Sequence, residues 1–424
     1  MAAKKKAASK KKATSKKKAA SKSSPPKIGV LTKLKEIQKE LGEDVAVLGP
    51  VWDNTERATT GCFPFDYASA QGFPQGRISV VWGHDSSGKT TLCLMAIAQF
   101  QKTNPDKVCV LVDVEGHYDP QHGRMCGVDN AKLVYAVPSY AEQTVDIAEK
   151  FLYADDLGVM VIDSLGAMIT ANELDSSADK AVVGGASTPI TKLYRKSSRA
   201  LNMHRRKGSK PTLIAISQVT TKIGVMFGNP EVMKGGKSFA FGSSLTVYMT
   251  GKSEKDTKLH PDMDVWRVCS FKITKQKVPI LAQNGEFKMA IADTKVFEKG
   301  YINDWPQIKE RLEAQGHMEK GKGVWFCCDY EFRTQNDIRE QLKSDPEFYK
   351  IVIDQIMATA MADMVMETDD SYSTPEEIPE EVLNTDELPF DPSQIIDEET
   401  GEVTHKVDAE TGEMIPVSTG DDPK

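Results

Sequence analysis

The chain has 424 residues, 40% hydrophobic and 27% charged, with a formal net charge of -7, a balance suited to a globular protein with a large core domain and a smaller one. No apolar run approaches the roughly 20 residues that cross a bilayer, and the N-terminus has no apolar signal-peptide core. Seven scattered cysteines suit neither a disulfide framework nor zinc spacing, so membrane-spanning, secreted-scaffold and zinc-finger classes are set aside and a reducing cytoplasm is expected.

In chain order, residues 1–27 form an arm that carries only positive charge and repeats a hexamer at Lys4–Ser9, Lys10–Ser15 and Lys16–Ser21. Such a segment has almost nothing to bury and is expected to be a disordered polycation. Phosphate contact with strong salt dependence suits it; a solubilising tail or an import signal are the other readings. Residues 28–60 hold an amphipathic helix (Ile28, Leu31, Leu34, Ile37 and Leu41 at helical spacing) and a linker. Its stripe needs the chain's own core or a neighbouring subunit as partner.

Residues 61–300 alternate apolar runs with helical patterns. Ile78–Trp82, Val108–Asp113, Val159–Asp163, Thr212–Ser217, Leu245–Thr250 and Val268–Ile273 read as strands. Helical stretches between the first four predict an α/β sheet, parallel at least in that half. In residues 301–365, a helix at Pro306–Gln315, a strand at Gly323–Asp329 and helices at Gln335–Lys343 and Pro346–Ala360 predict a small α+β domain. The adjacent Cys327 and Cys328 lie in an apolar run and are expected to be buried thiols. Residues 366–424 form an acidic tail in which Asp397–Val403 and Asp408–Met414 repeat one pattern. Disorder and a small hairpin or meander are both open there.

The chemistry concentrates at Gly83-His84-Asp85-Ser86-Ser87-Gly88-Lys89-Thr90, which fits the phosphate-loop pattern G-x-x-x-x-G-K-[ST]. Chance would supply that match in about 1–2% of chains this long. The loop follows an apolar strand and opens the helix Thr90–Gln99, so backbone N–H groups and a helix N-terminus face a phosphate. Lys89 would reach the β- and γ-phosphates and Thr90 would ligate Mg2+. Asp163, ending the strand Val159–Asp163, is the expected carboxylate near the metal. Glu115 in Asp113-Val114-Glu115 lies where open α/β sheets bind ligands and is the candidate base; a solvated loop carboxylate is the bland reading. Asp113 is read as a holder of metal-bound water. Gln218, ending another strand, can sense the γ-phosphate.

Together these residues resemble the RecA family of homologous-recombination ATPases, over about Leu31 to Ala360. The most specific stretch is Lys222-Ile223-Gly224-Val225-Met226-Phe227-Gly228-Asn229-Pro230-Glu231, similar to the family's second DNA-binding loop. Supporting matches are Ser86–Leu92 (with Thr91), Asp113–Glu115 with Asp119-Pro120, Asp163-Ser164, Gly235-Gly236, Lys275-Gln276-Lys277 and Gly323–Phe326. The resemblance implies a RecA-like P-loop ATPase core with a central, mostly parallel sheet, a short N-terminal helix and a small α+β C-terminal domain. It implies ATP and Mg2+ as cofactors, with Gly83, Asp85–Thr91, Asp119 and His122 around the nucleotide. The partners implied are single-stranded and double-stranded DNA and further copies of the chain in a helical filament. Glu115 would activate water, and Lys275 and Lys277 would reach the neighbour's γ-phosphate like an arginine finger. Gln218 would link the phosphate to the DNA loop, and Phe241 would carry that state to the next subunit; its bland reading is an ordinary core aromatic. DNA contacts fall to Arg195 and Lys196 after a first loop at about Leu174–Gly185, and to Lys222–Phe227, with Gly235 and Gly236 on phosphates. Ile223 would wedge between bases, without sequence specificity.

The sequence departs from the family at Thr220 and Thr188, where basic residues are usual, at His122, where an aromatic usually stacks on adenine, and at His84-Asp85, which replaces Pro-Glu and is expected to be tolerated. His204–Lys207 and the arm can compensate for lost basic charge. The acidic tail resembles autoinhibitory ends of bacterial relatives, and Asp386–Phe390 resembles the tips of single-strand-binding proteins, so such proteins or mediators are candidate partners. A hexameric helicase-type ATPase and a non-catalytic mediator paralogue are the alternative functions. A bacterial cytoplasm, at the nucleoid, and a phage-borne gene are expected.

Overall fold

The computed structural model describes residues 56–176, 186–222, 230–235 and 237–369, five single residues between 33 and 42, and three short strands between 394 and 416. The Lys-rich arm lies outside the described residues. Of the helix expected over 28–41, Lys33, Ile37, Lys39 and Glu40 are described, all helical, with Ile37 exposed. The chain forms two compact units, Met1–Met361 and Ala362–Lys424.

The first unit opens with β1 (Arg57–Ala58) and β2 (Phe73–Pro74), paired antiparallel around helix α1 (Phe63–Ala68). Its principal sheet holds β3 (Ile78–Gly83), β4 (Val108–Asp113), β5 (Leu133–Ala136), β6 (Leu157–Asp163), β7 (Thr212–Thr221), β8 (Glu231–Met233), β9 (Leu245–Lys255), β10 (Asp264–Gln276) and β11 (Asn284–Ala290). The order is β11-β10-β9-β3-β7-β6-β4-β5, with β8 paired to the end of β7. From β9 to β5 every neighbouring pair is parallel, whereas β8, β10 and β11 join antiparallel. The sheet is therefore mostly parallel, as expected.

Helices α2 (Lys89–Thr103), α4 (Ala141–Leu152), α6 (Ser187–Arg206) and α7 (Lys237–Gly242) cover the two faces, and α3 (Pro120–Met125) and α5 (Ala171–Asp175) are short helices with little buried surface. Strand periodicity divides the core between the two faces. Val81, Val159, Val161, Ile214 and Ile216 pack with Leu92, Leu94 and Ile97 of α2. Val80, Met160, Ile162, Leu213 and Ala215 pack with Val145, Leu152, Leu193, Leu201 and Phe239 of α4, α6 and α7. Each fully buried side chain of this size contributes roughly 1.5–3 kcal/mol of burial. With both faces covered, the strands read as continuous apolar runs rather than alternating ones.

Three strands of this sheet, β5, β8 and β11, escape the sequence reading. The edge strand β5 has four partly exposed residues, too few for a run. Strands β9 and β10 continue past their apolar stretches as a long hairpin whose polar ends are held by main-chain pairing, and β11 joins it with alternating burial.

Beyond the sheet come α8 (Trp305–Ala314), β12 (Met318–Lys320), β13 (Trp325–Cys327), β14 (Tyr330–Phe332), α9 (Gln335–Ser344) and α10 (Pro346–Asp369). The three strands form an antiparallel sheet where sequence reading expected one strand. Helix α9 starts on a capping box between Thr334 and Asp337, worth about 1 kcal/mol. Ile308, Leu312, Met318, Ile338, Leu342 and Val352 form a separate core cluster that takes in Phe63 of α1. Cys327 and Cys328 are buried within it, as free thiols.

The second unit contains an antiparallel meander of β15 (Gln394–Ile396), β16 (Val403–Val407) and β17 (Met414–Pro416). The repeated acidic segments 397–402 and 408–413 lie between these strands and outside the described residues. So does Asp386–Phe390.

Candidate active site

Strands β3, β4, β6 and β7 lie side by side and end at one edge of the sheet, where a cavity of about 280 Å3 opens. Its walls include Asp85, Ser86, Lys89, Thr90, Glu115 and Gln218. The loop from β3 to α2 depends on two glycines. Gly83 has φ +153°, and a Cβ there would sit 2.0 Å from the Met249 carbonyl oxygen. Gly88, at φ +90°, is the N-cap of α2, and a Cβ there would lie 2.6 Å from Cys269 Sγ. No side chain caps α2 and its first turn carries no acid, so its positive end is left to an anion. Ser87 Oγ is buried in the same loop without a hydrogen-bond partner.

Lys89 is only 8% exposed, and its Nζ donates to the His84 carbonyl oxygen at 2.6 Å. Burial lowers its pKa, opposed by the negative charges of Asp85, Asp163 and Glu115. Thr90 Oγ1 donates to Asp163 Oδ2 at 2.7 Å. Burial pushes the Asp163 carboxyl up to about 6, against the Thr90 hydrogen bond and with Glu115 and Asp113 adding to the rise.

Glu115 lines the same cavity as this pair. Its Oε1 accepts hydrogen bonds from Ser164 Oγ at 2.6 Å and Gln218 Nε2 at 3.0 Å, and His117 Nδ1 lies 3.7 Å from Oε2. Asp113, read from the sequence as a holder of metal-bound water, lines the cavity and also organises the loop after β4. Its oxygens accept from the backbone N–H groups of Glu115 (3.1 Å), Gly116 (2.8 Å) and Tyr118 (2.8 Å), and from Tyr135 Oη at 2.9 Å. It shapes the loop that presents Glu115. Sequence reading gave Ser164, Tyr118 and Tyr135 no role. Ser164 had a signal in its place beside Asp163, whereas Tyr135 lies on the unanticipated β5.

Asp119 caps α3 through a hydrogen bond from the Gln121 N–H at 2.8 Å. His122, in the same helix, has Nε2 at 3.2 Å from Thr91 Oγ1. Burial lowers the His122 pKa, opposed by Asp119. Both residues line the cavity, so the loop strand, the β4 loop and α3 converge on one space.

Strand β7 runs straight from Gln218 into a hairpin with β8, in register at Val219↔Met233, Thr220↔Val232 and Thr221↔Glu231. The Lys222 N–H closes it on the Pro230 carbonyl at 2.9 Å. Lys222 is exposed; Ile223, Gly224, Val225, Met226 and Phe227 lie outside the described residues, as do 177–185 of the first expected loop, and Gly236. Gly235 has φ +101° and packs against Leu165. On α6, Arg195 is exposed, but Lys196 is ion-paired with Glu149 of α4, so its charge is neutralised locally.

Lys275 and Lys277 do not line the cavity of their own chain. Lys275 Nζ donates to the carbonyls of Ala240 (2.8 Å) and Phe241, at the end of α7, and Lys277 Nζ lies 3.5 Å from the latter. Burial, and then Lys277, lowers the Lys275 pKa. Phe241 is 73% exposed while Phe239, two residues earlier, is fully buried. The core-aromatic reading belongs to Phe239 alone.

The raised Asp163 pKa sets a sign. The folded, ligand-free protein holds this proton more tightly than an unfolded chain with the ordinary value of 3.8. This group's stabilising effect is complete below 3.8 and is lost as pH rises through about 6. Asp163→Asn keeps an acceptor for Thr90 and removes the titration. Its stability relative to the parent is expected to be about 1–2 kcal/mol more favourable at about pH 8 than at about pH 5, read by urea unfolding without nucleotide. A difference independent of pH would refute the assignment.

The RecA N-terminal domain family matches residues 29–294. Protein RecA of Mycoplasma mobile is 30% identical over 332 residues, covering 77% of this chain and 94% of that protein. Protein RecA of Mesoplasma florum is 30% identical over 75% of this chain and 92% of its own length, and that of Petrotoga mobilis is 31% identical over 70% and 77%. Among solved structures, the crystal structure of the RadB recombinase is similar with a TM-score of 0.40 and 17% identity, over 55% of this chain and 96% of that one.

Proposed function

Because the chain belongs to the RecA family, we propose that it is a DNA-dependent ATPase that polymerises on single-stranded DNA and carries out homologous pairing and strand exchange. One observation carries the reading: Gln218, hydrogen-bonded to the candidate base Glu115, stands at the root of the hairpin whose two strands residues 223–229 join in sequence. A change at the γ-phosphate has one side chain to cross before it reaches the expected DNA loop.

The residues divide the work. Lys89, the loop amides and the α2 N-terminus hold phosphates; Asp119 and His122 flank the base. The orphaned Ser87 hydroxyl, the uncapped helix end and the Thr90–Asp163 pair fit ATP with Mg2+. Thr90 and Asp163 offer the ion oxygen on one side, which suits a metal that keeps phosphate and water ligands on the other. When bound, Mg2+ offsets charge developing on the phosphates. Glu115 takes the proton of the attacking water, with Ser164 and Gln218 fixing its orientation. Lys275, Lys277 and exposed Phe241 stand on one patch away from their own cavity, as a group acting on a neighbour's site requires. Arg195, Lys222, Gly235 and Gly236 supply backbone contacts to DNA. Among the described residues no helix is long and apolar enough to cross a membrane.

The test is ATP turnover with and without single-stranded DNA, alongside electron microscopy of the DNA-bound protein. Stimulated turnover and helical filaments are expected. Turnover indifferent to DNA would reject the recombinase reading, and closed rings would favour the helicase-type ATPase.

A further inference from the structure

We infer that His84 is a positioning residue that ties the phosphate loop to the far root of the hairpin, giving the nucleotide site a second line to the 223–229 segment. The inference rests on the recombinase reading and adds a coupling element to it.

The hairpin has two roots. One is Gln218 on β7. The other is Glu231, the first residue of β8, paired with Thr221. Both oxygens of the Glu231 carboxylate are engaged: His84 Nε2 lies 2.8 Å from Oε1, and Tyr248 Oη donates to Oε2 at 2.7 Å. The His84 and Tyr248 rings meet edge-on at 6.3 Å, and Tyr248 packs on Trp82 at 4.7 Å. The carboxylate is thus clamped between the phosphate loop and the sheet strand beside it, since β3 and β9 pair at Trp82↔Tyr248.

His84 faces both ways. Its ring holds Glu231 while its carbonyl oxygen accepts the Lys89 ammonium at 2.6 Å. A lysine that turns toward a phosphate must leave that carbonyl, which frees the His84 peptide to move. Because the ring is bonded to Glu231, that movement pulls on the start of β8. The side chains of His84 and Glu231 are 50% and 27% exposed, and exposed pairs of this kind contribute little to stability. Breaking the contact therefore alters communication more than folding.

The experiment measures the dissociation constant of a labelled oligo-dT with and without a non-hydrolysable ATP analogue and magnesium. The ratio of the two is the coupling, and it must equal the effect of DNA on nucleotide affinity. His84→Ala and Glu231→Ala are each expected to shrink the ratio by about fivefold or more, and the double variant by no more than either single. His84→Gln, whose amide nitrogen falls near the position of Nε2, restores it. Tyr248→Phe lies outside both loops, lowers the ratio in the same direction, and serves if a His84 variant does not fold. A simple loss of nucleotide binding would appear in the DNA-free nucleotide constant, measured in parallel. A parent ratio of one rejects the recombinase reading itself. A parent ratio above one that His84→Ala retains, additive singles, or failure of His84→Gln to restore coupling overturns the His84 inference alone.

Discussion

Replacing Glu115 with glutamine is expected to lower ATP turnover by about 10²–10⁴-fold, the usual contribution of a general base, while ATP still binds. The substitution is nearly isosteric, and a glutamine oxygen still accepts from Ser164 Oγ and Gln218 Nε2, which converge on Oε1 in the parent. What disappears is the ability to take a proton. The phosphate-holding groups, Lys89 and the α2 N-terminus, lie on a different strand-to-helix junction and keep their contacts, so a fluorescent ATP analogue should bind with little change. Asp113, clamped by three backbone amides and Tyr135, is not free to substitute for the lost base. Turnover near the parent level would remove Glu115 from the role; loss of binding in step with turnover would recast it as part of the nucleotide pocket.

Lys275→Ala is expected to cost about 10³-fold or more in DNA-stimulated turnover, the scale of a cationic finger supplied from a neighbour. The sharper outcome is complementation. In an assembly with head-to-tail interfaces each site joins one subunit's Glu115 to another's Lys275. An equal mixture of Glu115→Gln and Lys275→Ala chains then has about a quarter of its interfaces intact, so activity returns on mixing two nearly inactive proteins. Lys275 also holds the Ala240 and Phe241 carbonyls at the end of α7, and a purely structural role would give a mixture no better than its parts. Lys275→Arg can serve as the comparison that keeps charge at the patch.

The nucleotide half of the site was legible in the residues because it is local. Gly83, Gly88, Lys89 and Thr90 lie within one turn of chain, where backbone geometry and a helix start impose residue types at fixed spacing. Helices α8 and α9 of the C-terminal α+β region were legible for a related reason: they carry their own amphipathic pattern and, in α9, their own cap. The hydrogen bonds of Asp113 were not legible because its partners are loop amides and a tyrosine on a strand too short to announce itself. His84 looked like a harmless replacement because its partner is 147 positions away.

Local residue patterns therefore reveal the chemistry on offer: a phosphate loop, carboxylates at the ends of apolar strands, a glutamine on another strand and a glycine-rich apolar segment beyond it. Which of these groups touch is set by the packing of the folded chain. Ser164 reaches Glu115 across 49 residues and Gln218 reaches it across 103, because the strand order β3-β7-β6-β4 brings four carboxyl ends together. That order is set by how two apolar faces of one sheet are covered by helices, a property of the whole packed core. No window of residues carries it, since apolar runs buried on both faces look alike wherever they stand in the sheet.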